Sequence, residues 1–409
     1  MRASYLLSFA ICARHGPGTE GRKIMKFRTR SKRQGLAAIA LAATLSVVGA
    51  ACGTGSQPSP SQPGQLSSAE LATLSTVVNQ AKGIPPFVAP GPSFNATAAS
   101  GKTVVAVPLS SQIPYCDGIV KAMQVLGTSI GVKVTNYTSS GAPADWQAAA
   151  ILAASQRAGA FTTICGIDPA SLAPQLANLK AQNIPSVALL GDVSLSVPST
   201  VTAGASIQLN KAADILVDAA IVDNGGKPFH TLILTNYDIY GAHAPTDEAA
   251  AHLTSVCGSN CPSTVMSIPH SDWSSAIGST VSALLTRDPQ ITAIIALYDG
   301  MVAGFVPAVK LAQRPGLKVY TYGASAGVVD LIPSTNGIVA ANIGASTDWT
   351  AYSQMDQVLR LLTGLPPAPY ADEYPPLRLW DSTNVSEFHG TNPYGTAYVS
   401  GFNTLWGIK

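Results

Sequence analysis

The sequence is poor in charge. Asp, Glu, Lys and Arg make up 11% of its 409 residues, with a formal balance of +2. Even that balance is unevenly distributed. Residues 1–51 carry nine Lys and Arg against a single acid, Glu20; from Cys52 onward 15 basic residues face 21 acidic ones, a balance of −6. The part after Cys52 has no basic patch with interleaved aromatics, which argues against nucleic acid as a partner. There is no Walker loop, and no Cys or His pair has zinc-ligand spacing, so neither a cofactor nor a metal is expected. The sole G-x-G-x-x-G, Gly16 to Gly21, follows no strand pattern and is set aside. Disorder is not indicated either, because the chain is 46% hydrophobic. Its length allows about two to three domains.

The N-terminal 51 residues read as an export signal. Lys26, Arg28, Arg30, Lys32 and Arg33 form a positive stretch behind Met25, which looks like the better-formed start, with 1–24 an over-extension. An apolar run follows over 35–51, about 17 residues long, which is short for a stable membrane span. It closes on Gly49-Ala50-Ala51-Cys52, which resembles the bacterial lipobox except for Gly49, where Leu is usual. That resemblance implies a diacylated Cys52 at the mature N-terminus, holding the protein on the bilayer at the outer face of the cytoplasmic membrane. Residues 53–66 are rich in Ser, Pro, Gln and Gly, a linker composition.

Beyond a short helical preface over 67–83 and a Pro/Gly/Ser-rich stretch over 84–101, strands and helices alternate. Strands are expected at 103–109, 132–137, 160–165, 186–190, 230–235, 264–268, 291–297, 318–322 and 338–343. Helices are expected at 115–130, 144–157, 172–182, 208–222, 244–256, 273–287, 300–313 and 349–363. In 115–130 the residues Ile119, Ala122, Met123 and Leu126 share one helix face; in 273–287 Ile277, Val281, Leu284 and Leu285 do so. Such alternation predicts an α/β fold with parallel sheets covered on both faces. It is too long for one core, so two lobes are expected.

Among candidate chemical motifs, Gly323-Ala-Ser325-Ala-Gly327 matches the nucleophile elbow of serine hydrolases, with Asp372 or Asp381 and His389 in suitable order downstream. No HGGG-like oxyanion stretch precedes it, and an Ala/Gly/Ser-rich chain produces this pattern readily, so no enzyme is expected. His230, His243, His252, His270 and His389 are scattered and read as ordinary polar positions. Four cysteines remain besides Cys12 and Cys52. An even number in an exported chain suggests disulfides, and Cys257-Gly-Ser-Asn-Cys261 is a turn that could close on itself.

Four segments, in order, carry a family resemblance. They are Val104 to Leu109 with Gln112-Ile-Pro114-Tyr115; Gly166-Ile-Asp168-Pro169-Ala-Ser-Leu172; Ala181-Gln-Asn-Ile184-Pro185-Ser-Val187; and Asp288-Pro289 through Tyr298-Asp299-Gly-Met301. Together they resemble the type 1 periplasmic sugar-binding proteins of ABC importers over about residues 102–380. The resemblance implies two doubly wound parallel-sheet lobes joined by a three-segment hinge, with crossings near 204–206, 344–346 and 370–375. Lobe 1 is then 102–205 plus 346–372, and lobe 2 is 206–345 plus 373–409. It also implies a monomer that captures a small molecule between the lobes for an ABC permease, or as a sensory adaptor for a membrane receptor. The pocket positions become Tyr115, Cys116, Cys165, Asp192, Tyr240 (or Tyr237), Tyr298, Asp299, Gly323 and, beside Asp348, Trp349. Leu190-Gly191, Tyr298 and Gly323 depart from the Asp-Arg, Asn and Asp usual there; aromatic faces suit sugar C–H surfaces as well as other flat or apolar ligands, so the expected ligand is a sugar or another small molecule, aromatic and apolar ones included. Core packing is the other role open to each aromatic. Because first and third strands are neighbours in this fold, Cys116 and Cys165 are expected to form a disulfide on the cleft floor.

Overall fold

The structure, a computed structural model, describes residues 64–192, 194 and 196–408. The expected signal sequence and Cys52 lie outside the described residues.

The first lobe begins with β1 (Thr103–Pro108), α2 (Pro114–Ile130), β2 (Lys133–Asn136), α3 (Pro143–Ser155), β3 (Ala160–Ile164), α4 (Ala173–Ala181), β4 (Ser186–Leu190) and β5 (Ala203–Ser206), preceded by α1 (Ser68–Ala81). These five strands form one parallel sheet in the order β2-β1-β3-β4-β5. β1, β3 and β4 are continuous apolar or small-residue runs, buried almost throughout, as a sheet covered on both faces requires. The helices are bounded by local chemistry. Ser67 and Glu70 form a capping box at the start of α1. Pro114 opens α2 and Gly131, at φ +83°, ends it.

The second lobe comprises α5 (Leu209–Asp223), β6 (His230–Thr235), α6 (His243–Cys257), β7 (Ser263–Ser267), α7 (Ile277–Arg287), β8 (Ile291–Ala296), α8 (Val302–Ala312), β9 (Lys318–Tyr322), the short α9 (Ala326–Val329) and α10 (Leu331–Ser334), and β10 (Val339–Gly344). The chain then returns through α11 (Thr347–Leu362), β11 (Arg378–Asp381) and α12 (Ala397–Leu405). The second sheet runs β11-β10-β9-β8-β6-β7, parallel except for β11.

The chain crosses between sheets three times, at 207–208, 345–346 and 373–377. The second return brings α11 under the first sheet, where it buries Gln354, Asp356, Gln357 and Arg360. Each finds a partner. Gln354 donates to Thr162 Oγ1 at 2.6 Å, Gln357 to the Gly204 carbonyl at 2.8 Å, and Arg360 Nε to Asp356 at 2.6 Å. Gln354 Oε1 has no partner among the described residues, so these bonds offset the burial of the polar side chains in part.

Several sequence expectations shift. α7 starts at Ile277 rather than 273, since residues 270–272 make a tighter turn that carries Trp273 into the cleft. α8 starts at Val302, after a similar turn at Asp299–Met301. The segment 373–409 divides. β11 joins the second sheet, but α12 packs on α11 of the first lobe through the ring faces of Tyr398, Phe402 and Trp406, spaced four residues apart. β5, β11 and α12 carried no expected periodicity.

Candidate functional site

The strands of both sheets end at a shared crevice, the place where open parallel sheets form ligand sites. Between the lobes lies a cavity of about 50 Å³. From the first lobe it is lined by Leu109, Ile113, Tyr115, Cys116, Cys165, Gly166 and Gly191, and from the first crossing and second lobe by Ile207, Leu209, Ile239, Trp273, Tyr298, Asp299, Gly300, Tyr322 and Gly323. The lobes touch here. Tyr240 N–H donates to the Gly166 carbonyl at 2.9 Å, and the Tyr322 hydroxyl donates to the Ile207 carbonyl at 3.3 Å.

The floor is a disulfide between Cys116 and Cys165, whose Cα atoms are 5.9 Å apart. Cys116 sits in the first turn of α2 and Cys165 follows β3 directly, so the neighbouring β1 and β3 bring the two together. Cys165 has φ +68° and Gly166 φ +71°, which turns the chain sharply off the strand at the cleft edge. The second disulfide, Cys257–Cys261, closes the turn after α6, away from the cleft.

The walls are aromatic. Trp273 and Tyr298 stack with centroids 6.1 Å apart and planes 22° off parallel. Trp273 is anchored by donating Nε1–H to the Ile268 carbonyl at 3.0 Å. Its ring occupies the space above Gly300, where a Cβ would stand 2.8 Å from it. The Tyr115 hydroxyl lies 3.3 Å from Thr350 Oγ1. The Tyr298 hydroxyl, by contrast, is buried without a hydrogen-bond partner among the described residues, and burial raises its pKa well above the ordinary tyrosine value. An unpaired buried hydroxyl leaves a hydrogen-bonding valence unfilled.

Among the described residues, Asp299 is the one carboxylate in the lining. It accepts hydrogen bonds from Ser325 N at 2.7 Å, Ser325 Oγ at 3.1 Å and Asn342 Nδ2 at 3.4 Å. Burial outweighs these bonds and lifts its pKa to about 6. The carboxyl group seats against Gly323, where a Cβ would stand 2.3 Å from its carbon and where φ is +146°. Gly323 is thus required by Asp299: its departure from the Asp usual in sugar binders makes room for this neighbour.

Six of the nine expected pocket residues, Tyr115, Cys116, Cys165, Tyr298, Asp299 and Gly323, line the cavity. The other three do not. Asp192 is buried and accepts from Ser194 N and Asn210 N at 2.8 and 2.9 Å, capping α5 across the first crossing. Tyr240 meets the first lobe through its backbone. Trp349 stacks on Tyr398 at 4.6 Å, below the cleft. Sequence reasoning missed Trp273, Tyr322 and Ile239. Trp273 was absorbed into an expected helix, although the polar His270-Ser-Asp272 ahead of it is a loop signal. Tyr322 is the terminal residue of its strand, the position from which side chains enter such crevices.

The components of the hydrolase elbow do not meet as a triad. The Ser325 hydroxyl donates to Asp299, His389 Nε2 pairs with Asp330 at 2.6 Å, and Asp381 pairs with Lys82 at 2.6 Å. Asp372 stands near the third crossing, on a different pocket. Among the described residues no helix is long and apolar enough to cross a membrane, and no cluster of three or more His, Cys, Asp or Glu has the geometry of a metal site.

Comparison with known proteins supports this architecture. No curated protein matches the chain. Among solved structures, a sugar ABC transporter protein from Yersinia enterocolitica subsp. enterocolitica aligns with a TM-score of 0.63 at 18% identity, over 78% of this chain and 97% of that one. An ABC transporter solute-binding protein from Agrobacterium vitis with bound allitol aligns with a TM-score of 0.62 at 16% identity, over 70% of this chain and 97% of that one. One from Mycobacterium smegmatis with bound glycerol gives 0.60 at 16%, over 70% and 96%. These likenesses show a shared type 1 periplasmic binding fold. The model of the periplasmic binding protein domain family matches residues 104–366, well over half of the chain, and the chain therefore belongs to that family.

Proposed function

We propose that this protein is an extracytoplasmic solute-binding lipoprotein that captures a small molecule between its lobes and presents it to an ABC permease. It catalyses no reaction, works as a monomer and is held at the outer face of the cytoplasmic membrane through acylated Cys52. Family membership and the crevice at the strand ends support capture; the charged, then apolar, then small-residue pattern before Cys52 supports export and anchoring.

The ligand class follows from the lining. The relatives with bound allitol, glycerol and D-fucose hold hydroxyl-rich molecules. In this chain the walls are Trp273, Tyr298, Tyr115 and Tyr322, and the only carboxylate is already committed to Ser325 and Asn342. The ligand is therefore small and uncharged, with a flat or apolar face for the rings and at least one polar group for the Tyr298 hydroxyl. The almost wholly apolar and aromatic lining of the cavity is the observation that carries this reading. The cavity of about 50 Å³ admits it as the lobes part at the hinge.

A thermal-shift screen of three panels tests the proposal: neutral aromatic and cyclic compounds, sugars and polyols, and charged amino acids. Ligand binding to the native state raises Tm. The first panel is expected to supply the hits; stabilisation by charged amino acids alone would contradict it. Acylation is tested by palmitate labelling in a bacterial host, expected for the wild type and absent in Cys52→Ala. A fluorophosphonate probe is expected to leave the protein unlabelled, and labelling that disappears in Ser325→Ala would overturn the non-catalytic reading.

A further inference from the structure

Residues 64–96 lie ahead of the stretch that matches the family's model, and they touch both lobes. α1 rests on the second lobe. It packs on α5 and β11, and just before it the Leu66 N–H donates to the Gly226 carbonyl at 3.0 Å. Its end is pinned twice. Lys82 Nζ pairs with Asp381 of β11 at 2.6 Å, and the Lys82 carbonyl accepts from Arg378 Nε at 2.8 Å. From Phe87 onward the same segment rests on the first lobe. The Phe87 ring lies 5.1 Å from that of Phe402 in α12 and 6.2 Å from that of Trp349 in α11, centroid to centroid. It fills the space in which a Cβ on Gly401 would stand, so α12 is notched for it. Arg360 of α11 donates to the Pro92 carbonyl at 3.2 Å and sits 4.7 Å above the Phe94 ring. The N–H groups of Phe94 and Ala96 donate to the carbonyls of Leu405 and Trp406 at 2.8 and 2.9 Å.

Gly83-Ile84-Pro85-Pro86 lies between the two sets of contacts. From Lys82 to Phe87 the chain reaches at most about 18 Å. Each proline fixes its own φ and keeps the residue before it extended, so Ile84-Pro85-Pro86 is stiff rather than slack. This bridge runs alongside the hinge. Across a pocket of about 450 Å³, Gly83, Pro85 and Pro86 face Gln208 of the first crossing and Tyr374 of the third. Ile207 and Leu209, on either side of Gln208, line the cleft, so the bridge lies on the other side of that crossing.

We propose that this segment is a fourth interlobe connection, a strut that holds the lobes in their touching arrangement before a ligand arrives. Lobes of this kind turn relative to each other about the crossings. A stiff bridge seated at both ends does not follow such a turn. One foot must leave its seat, either Lys82 from Asp381 and Arg378 or Phe87 from the notch at Gly401. Both feet are seated in the arrangement in which the Tyr240 N–H meets the Gly166 carbonyl, so this is the arrangement the strut favours. One consequence rests on the capture proposed above: a larger share of molecules stands ready to bind, and apparent affinity rises with that share.

Pulsed spin-label distance measurement on the ligand-free protein tests the strut. Labels go on Val125→Cys in α2 and Leu311→Cys in α8, which are 71% and 83% exposed and stand one in each lobe. Cys116, Cys165, Cys257 and Cys261 are paired, and an acylated Cys52 has no free thiol. With the native strut we expect a single narrow distance distribution. Insertion of Gly-Ser-Gly-Ser-Gly-Ser between Pro85 and Pro86 leaves both feet intact and should broaden it at least about twofold. Phe87→Ala, which empties the notch, should broaden it likewise; unchanged circular dichroism checks that both variants fold. A broad distribution with the native strut, or one that either variant leaves unaltered, overturns the proposal. These readings need no ligand, so they stand apart from the capture reading. In titration with the most stabilising compound from the thermal-shift screen, the insertion should raise Kd by about threefold or more. An unchanged Kd beside a broadened distribution overturns the link to affinity.

Discussion

Asp299 and Gly323 form a pair in which each side chain explains the other. Replacing Gly323 by Ala places a Cβ against the Asp299 carboxyl at a backbone angle that only glycine adopts easily. We expect a loss of about 2–4 kcal/mol in urea unfolding. The same carboxyl sets a pH dependence. Its folded pKa of about 6 lies above the value of 3.8 for a free Asp. Its contribution to stability is therefore fully present below about pH 4 and disappears as pH rises through 6, a swing of about 3 kcal/mol. The wild-type minus Asp299→Asn difference in stability should carry this slope between pH 4 and 7; a flat difference would contradict it. Glu373, fully buried at the third crossing beside Asp356, is also raised well above the ordinary carboxylate range by burial, with the same sign. At this scale the sequence was legible in part. Asp299 and Gly323 were both named from the family pattern, but Gly323 looked like the loss of a ligand group, because a glycine's neighbour is invisible in one dimension.

Among elements, the disulfide of Cys116 and Cys165 ties the first turn of α2 to the end of β3, residues separated by 49 in sequence. A cross-link over that span restricts the unfolded chain. We expect Cys116→Ala with Cys165→Ala to lose about 2–5 kcal/mol in chemical denaturation, with secondary structure retained by circular dichroism. The pairing was legible because the order of strands in the resembled fold makes β1 and β3 neighbours. β5 was not, because Ala-Gly-Ala-Ser lacks branched residues; its small side chains admit Tyr370 and Val197 against Gly204. α12 was hidden differently. Its Tyr398, Phe402 and Trp406 face depends on the Tyr352 and Trp349 surface of α11, which exists only after the chain has crossed back. Trp273 was missed because helical periodicity extends smoothly into a turn that is not helical.

At the scale of the molecule, two sheets, three crossings and a crevice at the strand ends are the architecture on which the proposed capture of a ligand rests. Fold class was the most legible property, since strand-helix alternation is a local pattern repeated many times. The division of the C-terminal segment between lobes was the least, since it depends on packing. The cleft's character lies between, because aromatic residues were visible but their partners were not. The claim that the interlobe cavity binds a small uncharged molecule is tested most directly by calorimetric titration of the most stabilising compound from the screen. We expect one site per chain, affinity reduced by at least about tenfold in Ile113→Trp and weakened in Tyr298→Phe, and unchanged in Leu311→Ser on the exposed face of α8. Equal affinity in wild type, Ile113→Trp and Tyr298→Phe would place the ligand elsewhere and contradict the claim.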